Sequence, residues 1–206
     1  NFQSTYGRVV EIGDGCNNIT IDNNLITANT DASFGNGDNI AIHAGNATIN
    51  GLTISNNEIR YGEMSIKLYG GNTPENYIQN LVISGNQCSD FQITGMMLEK
   101  VSNLNVTGNL VTQHSAAFTE LNGFYFIDIS NEFQINANQI SLSRNDVIVR
   151  GMIMQNINVD AQQPGLISNN FISLGGQQSL VYGLYIFIFD NIRILHNSIN
   201  LYGTAG

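Results

Sequence analysis

The stretch Leu52-Thr53-Ile54-Ser55-Asn56-Asn57-Glu58-Ile59 decides the fold. Leu52 and Ile54 alternate with polar residues, an asparagine follows at Asn57, and a further apolar residue closes the phrase at Ile59. The same phrase occurs upstream as I-T-I-D-N-N-L-I at Ile19 to Ile26. Downstream it returns as L-V-I-S-G-N-Q-C from Leu81, L-N-V-T-G-N-L-V from Leu104 and F-Q-I-N-A-N-Q-I from Phe133. A degenerate G-L-I-S-N-N-F-I starts at Gly165, and I-R-I-L-H-N-S-I starts at Ile192. The aligned asparagines are Asn24, Asn57, Asn86, Asn109, Asn138, Asn170 and Asn197, spaced 23 to 33 residues apart. Self-similarity at such a period is the signature of a solenoid, in which each repeat is one coil.

Each coil carries a second apolar strand of the form G-Φ-x-Φ, where Φ is apolar. It reads G-M-M-L at Gly95, G-F-Y-F at Gly123, G-M-I-M at Gly151 and G-L-Y-I at Gly183. Earlier versions are V-V-E-I at Val9, N-I-A-I at Asn39 and S-I-K-L at Ser65. Strict alternation sends every other side chain to one face, which is the mark of a strand. A coil therefore reads as strand, turn, strand, asparagine turn, short strand and loop. No coil can bury its own inward side chains, so stacking is obligatory. The expected fold is an all-β parallel solenoid of about seven coils with an asparagine ladder, one domain over residues 1–206. At about 4.8 Å per coil the rod is roughly 34 Å long. The asparagines are expected to take left-handed backbone angles at the bend and to hydrogen-bond nearby backbone and each other.

Composition narrows the partners. Charged residues are 11% of the chain, far below the roughly 25% of ordinary domains. There are 31 asparagines and 21 glycines, so the surface is built from neutral polar groups. The net charge is −9 with seven Lys plus Arg, which leaves no basic stripe for phosphates and argues against nucleic acid. No apolar run approaches a membrane span. Cys88 falls at the repeat position of Ile26, Ile59 and Ile140 and reads as a core residue, while Cys16 reads as a turn residue in another coil. A disulfide between them is not expected.

The combination of G-Φ-x-Φ strands with an inward asparagine turn resembles the right-handed parallel β-helix superfamily, the pectate-lyase-like repeats. The likeness covers residues 8 to 200. The last phrase, from Leu195, also looks like repeats of large secreted bacterial surface proteins. These resemblances imply an extracellular or cell-surface protein, and a working face on the G-Φ-x-Φ sheet. Many functions share such coils, so the fold alone assigns none.

On that face the outward residues fall into two columns. One is expected to hold Ala41, Lys67, Met97, Tyr125, Ile153 and Tyr185; the next holds His43, Tyr69, Glu99, Ile127, Gln155 and Phe187. In the early coils His43, Lys67, Tyr69 and Glu99 cluster. Lyases on this fold take a proton from beside a uronate carboxyl with a basic side chain, and stabilise the resulting charge with a cation or a neutralising group. Lys67 is the candidate base, Tyr69 or His43 the candidate acid, and Glu99 a cation ligand or orienting group. The bland alternative is a set of solvated polar side chains. The motifs of inverting polygalacturonases are absent, and Asp38 lacks the second carboxylate that inverting hydrolysis needs. No cofactor motif is present; Asp31 and Asp38, in the 27–39 loop, are the candidate calcium ligands.

The later coils differ. Tyr125, Ile127, Ile153, Tyr185 and Phe187 form an outward apolar patch, which implies a covering partner or an aromatic platform for sugar rings. The leading functional expectation is thus a rigid rod that acts as a structural, adhesive or glycan-binding segment of a surface or fibre protein, and the alternative is a polysaccharide lyase. The first residues read as mid-repeat, so the chain is expected to be a segment of something longer. Its partners are then further coils of the same polypeptide, or identical subunits stacked end to end. Val10, Ile12, Ile19 and Ile21 at one end, and Ile192, Ile194 and Ile199 at the other, are expected to be partly exposed.

Overall fold

The protein is described here by a computed structural model covering residues 7–30, 39–113, 120–145, 147–176 and 180–203. Among these residues every strand pairing is parallel, and the strands form a β-solenoid. The first face is built from Arg8–Glu11, Ile40–Ala47, Met64–Gly70 and their successors, ending at Val181–Asp190. The second runs from Asn17–Asp22 through Asn50–Ser55 and Ile78–Ser84 to Gly165–Ser168 and Ile192–Leu195. Thr94–Thr107 and Glu120–Asn136 turn the corner and serve both faces. The third face holds the short strands after the asparagine, from Leu25–Thr27 to Ser198–Tyr202. The only helical element among the described residues is the 3-10 turn Pro74–Asn76.

Inward side chains stack in columns, as period two requires. Ile54, Ile83, Val106, Ile135 and Ile167 form one column and are fully buried. On the first face Phe124 and Phe126 point inward, stacked at 5.2 Å between ring centroids, with Met152 and Met154 beside them in the next coil. That fixes the outward phase of the neighbouring Tyr125 and Ile127. Cys88 is buried on the third face, opposite Ile59 and Val111, where burial pushes its thiol up to about 12. Both Cys88 and Cys16 are free.

All seven asparagines lie in one column. Each backbone N–H and each Nδ2 donates to Oδ1 of the asparagine one coil further on, from Asn24 to Asn57 and through to Asn170 and Asn197. Their backbone is not left-handed, contrary to the sequence expectation. The residue before each one takes that conformation: Asn23, Asn56, Gly85, Gly108, Ala137, Asn169 and His196 all have φ between 54° and 64°. The bend therefore needs a small or locally hydrogen-bonding residue first, and an inward amide second.

Two further corners use the same device. Asn18, Gly51, Asn80 and Asn103 have positive φ where the second face begins. Lys100, Asp128, Asn156 and Ile188 have φ of 53° to 56° where the first face ends. At the start of the second face a shorter, exposed ladder forms, with Asn103 Nδ2 donating to Asn80 Oδ1 at 3.0 Å and Asn80 Nδ2 to Asn50 Oδ1 at 2.8 Å.

At the ends, Val10, Ile19, Ile21 and Ile192 are half-buried, and Ile194 and Ile199 are 48% and 43% exposed. Ile12 departs from the expectation and is buried. Its N–H donates to the His43 carbonyl at 2.8 Å, which ties it against the next coil.

Candidate functional site

Strand pairing gives the outward order on the first face. One column runs Glu11, His43, Lys67, Met97, Tyr125, Ile153, Tyr185. The next runs Tyr69, Glu99, Ile127, Gln155, Phe187. Thus His43 lies opposite Lys67 and not Tyr69, and Ala41 is buried instead of sharing the Lys67 column. The expected alignment was two residues out in this coil. Ile40, Ile42 and Ala44 are all apolar at alternate positions, so the pattern accepts either register, and only the backbone pairing distinguishes them.

Lys67 sits amid the early polar cluster. Its charge acts on both His43 and Glu99. His43 is almost fully buried, with Nδ1 2.9 Å from Glu11 Oε2, and Glu11 also pairs with Arg8 at 3.0 Å. Burial holds the imidazole below its usual range, outweighing the attraction of Glu11. Tyr69 is engaged from the side by a residue outside the predicted set. Lys100 Nζ donates to the Tyr69 hydroxyl at 2.5 Å and to Asn72 Oδ1 at 3.0 Å, and lies 4.4 Å from the Tyr69 ring centroid. Burial raises the Glu99 carboxyl above the usual range, with Lys100 opposing at 3.9 Å. The cluster forms, then, but its hydroxyl and its imidazole are already committed within the protein.

The later coils carry an aromatic run. The Tyr182, Tyr185 and Phe187 rings follow one another with centroids 5.2 Å apart at each step. Ile153 lies between Tyr125 and Tyr185 in its column but is only 3% exposed, so it does not belong to the exposed patch expected from the sequence. Arg150 approaches the Tyr185 ring at 5.9 Å, and its Nη1 donates to Glu120 Oε2 at 2.6 Å and to Asn122 Oδ1 at 3.2 Å. Burial raises the Tyr125 phenol, and Glu120 adds to the shift. Arg150 and Tyr182 escaped the sequence reading because both directly precede the glycine of G-Φ-x-Φ.

Asp31 and Asp38 lie outside the described residues. Elsewhere Asp14 and Asp22 serve turns: Asp14 accepts from the Thr48 N–H at 2.7 Å, and Asp22 from Ser55 Oγ at 2.6 Å. Among the described residues no cluster of three His, Cys, Asp or Glu side chains could hold a metal ion, and no helix is long and apolar enough to cross a membrane. No family profile matches the chain, and neither a curated protein nor a solved structure matches it.

Proposed function

We propose that this chain is a rigid extracellular rod, a non-enzymatic segment of a surface or fibre protein, whose first face binds glycan. The observation that carries the reading is the aromatic run Tyr182–Tyr185–Phe187. Rings presented in series on a stiff sheet suit the apolar faces of successive sugars, with Arg150 and Gln155 beside them to engage hydroxyls. The sheet needs no reorganisation to bind, which favours affinity from a modest area. The likeness of the repeats to pectate-lyase-like coils and to bacterial surface repeats fits this setting. Affinity electrophoresis through gels containing single polysaccharides tests it. At least one neutral or acidic polysaccharide retards the protein, and Tyr185→Ala with Phe187→Ala abolishes the shift. Unchanged retardation in that double variant would overturn the reading.

A lyase centred on Lys67 draws less support, because Tyr69 and His43 are held by Lys100 and Glu11. Assay on pectate and alginate with calcium present, read as absorbance of the unsaturated product, is expected to give no turnover. Activity lost in Lys67→Ala would reverse the order of the two readings.

End-to-end stacking of identical subunits has its own support. The ladder is polar: among the described residues nothing donates to Asn24 Oδ1, and the Asn197 N–H has no ladder acceptor. A second copy stacked head to tail would join that donor to that acceptor and cover Ile194 and Ile199. Sedimentation that depends on concentration, and is suppressed by Ile194→Asp, is the expected result. A monomer at all concentrations would rule the stacking out.

A further inference from the structure

The left-handed corner at the end of the first face does more than turn the chain. Asp128, Asn156 and Ile188 stack there in successive coils, about 4.8 Å apart per step. Beyond them a groove of about 430 Å³ follows the rod axis along the corner. Pro74 and Tyr77, from the 3-10 turn and its C-cap, flank it. Phe189 and Ile188 line it from the far coil and are 51% and 68% exposed. Asn156 and Asn158 contribute amides, and Asp128 and Asp190 contribute carboxylates two coils apart. Among the described residues no Lys or Arg lines it. The Lys100 amine, outside the lining, is held by Tyr69 and Asn72, and its charge also interacts with Asp128 and Tyr77. The Asp128 charge reaches Tyr77, where it adds to the effect of burial in raising the phenol.

We propose that this corner groove binds a short cationic oligosaccharide, a run of amino sugars laid along the rod axis. The groove is concave and mixed, with ring faces for stacking and side-chain amides for hydroxyls, as saccharide sites require. Its charge selects among sugars. Two carboxylates with no basic neighbour in the lining repel a uronate and attract a protonated amine. Coils repeat along the groove, so successive rings of an extended glycan meet successive coils. Asp128 then meets an amine near one end and Asp190 another near the far end. A lysine peptide satisfies the carboxylates but offers no ring face to Tyr77 and Phe189. The site is separate from the first-face aromatic run, and either can fail without the other.

Titration calorimetry of the full chain at low salt tests this with four probes: a glucosamine tetramer, its fully N-acetylated form, a galacturonate tetramer and tetralysine. The glucosamine tetramer is expected to bind at least tenfold more tightly than each of the others. Asp128→Asn with Asp190→Asn, both at solvent-accessible positions, is expected to weaken it tenfold or more, while Glu132→Gln, at an exposed carboxylate outside the groove, leaves it unchanged. Amide chemical shifts are expected to move at Tyr77, Asn158 and Phe189. Four outcomes would each overturn the proposal: equal binding of amine and N-acetyl forms, tetralysine binding as tightly as the sugar, full affinity in the double asparagine variant, or the same loss in Glu132→Gln.

Discussion

Asn109 donates twice to one atom of Asn138: its backbone N–H reaches Oδ1 at 3.0 Å, and its Nδ2 reaches the same oxygen at 2.9 Å. Asn109 Nδ2 also donates to the Ile83 carbonyl at 2.9 Å, and its Oδ1 accepts from Asn86 N and Nδ2. One buried side chain thus ties three coils. Replacing Asn109 by Leu leaves the Asn86 N–H and the Ile83 carbonyl without these partners in a dry interior. The expected cost is roughly 3 kcal/mol, against about 1 kcal/mol for Asn197→Leu, where the ladder ends near solvent. Urea unfolding of both variants checks this, and equal midpoints would dismiss the ladder as a source of stability.

The turn before the ladder predicts a gain. Ala137 is exposed and held at φ 55°, where other coils place Asn, Gly or His. A left-handed non-glycine residue without a local hydrogen bond costs about 1 to 2 kcal/mol, part of which glycine returns through its freer unfolded chain. Ala137→Gly removes no packed side chain, so a net stabilisation of roughly 0.5 kcal/mol is expected. A lowered midpoint would mean that the left-handed angle there is not strained.

How much of this was legible in the chain follows from the same residues. The ladder, the third-face column through Cys88, and the inward phase of Phe124 and Phe126 could be read because period two and the asparagine recur together. The Ile40–Ala44 register could not, since three alternating apolar residues look alike after a slip of two. Nor could the left-handed column be assigned to the right residue, because Asn23, Asn56 and Asn169 stand beside ladder asparagines of the same type. Side-chain partners such as Lys100 with Tyr69 cross between coils 31 residues apart, and periodicity says nothing about which long side chain reaches which. The corner groove depends on where the 3-10 turn at Pro74 folds back, which alternation does not encode.

Acid should loosen the first coils through His43. Burial lowers the imidazole below the ordinary value of about 6.5, so the folded state takes up a proton later than the unfolded chain. Stability from the neutral ring is therefore complete above that value and is lost as pH falls through it. The groups around the ring are Glu11, Arg8 and Lys67; Glu11 moderates the shift, and the two cations reinforce it. Glu99 has the opposite sign, because its raised carboxyl penalises the folded state at high pH and relieves it as acid protonates the group. The comparison that isolates His43 is between the natural chain and His43→Gln, which keeps a polar group near Glu11 but cannot titrate. Between pH 7.5 and 5.5 the unfolding midpoint of the natural chain should fall more than that of the variant. Parallel profiles would mean that the ring takes up its proton alike in the folded and the unfolded chain. A steeper fall in the variant would mean that Glu11, not burial, governs the site.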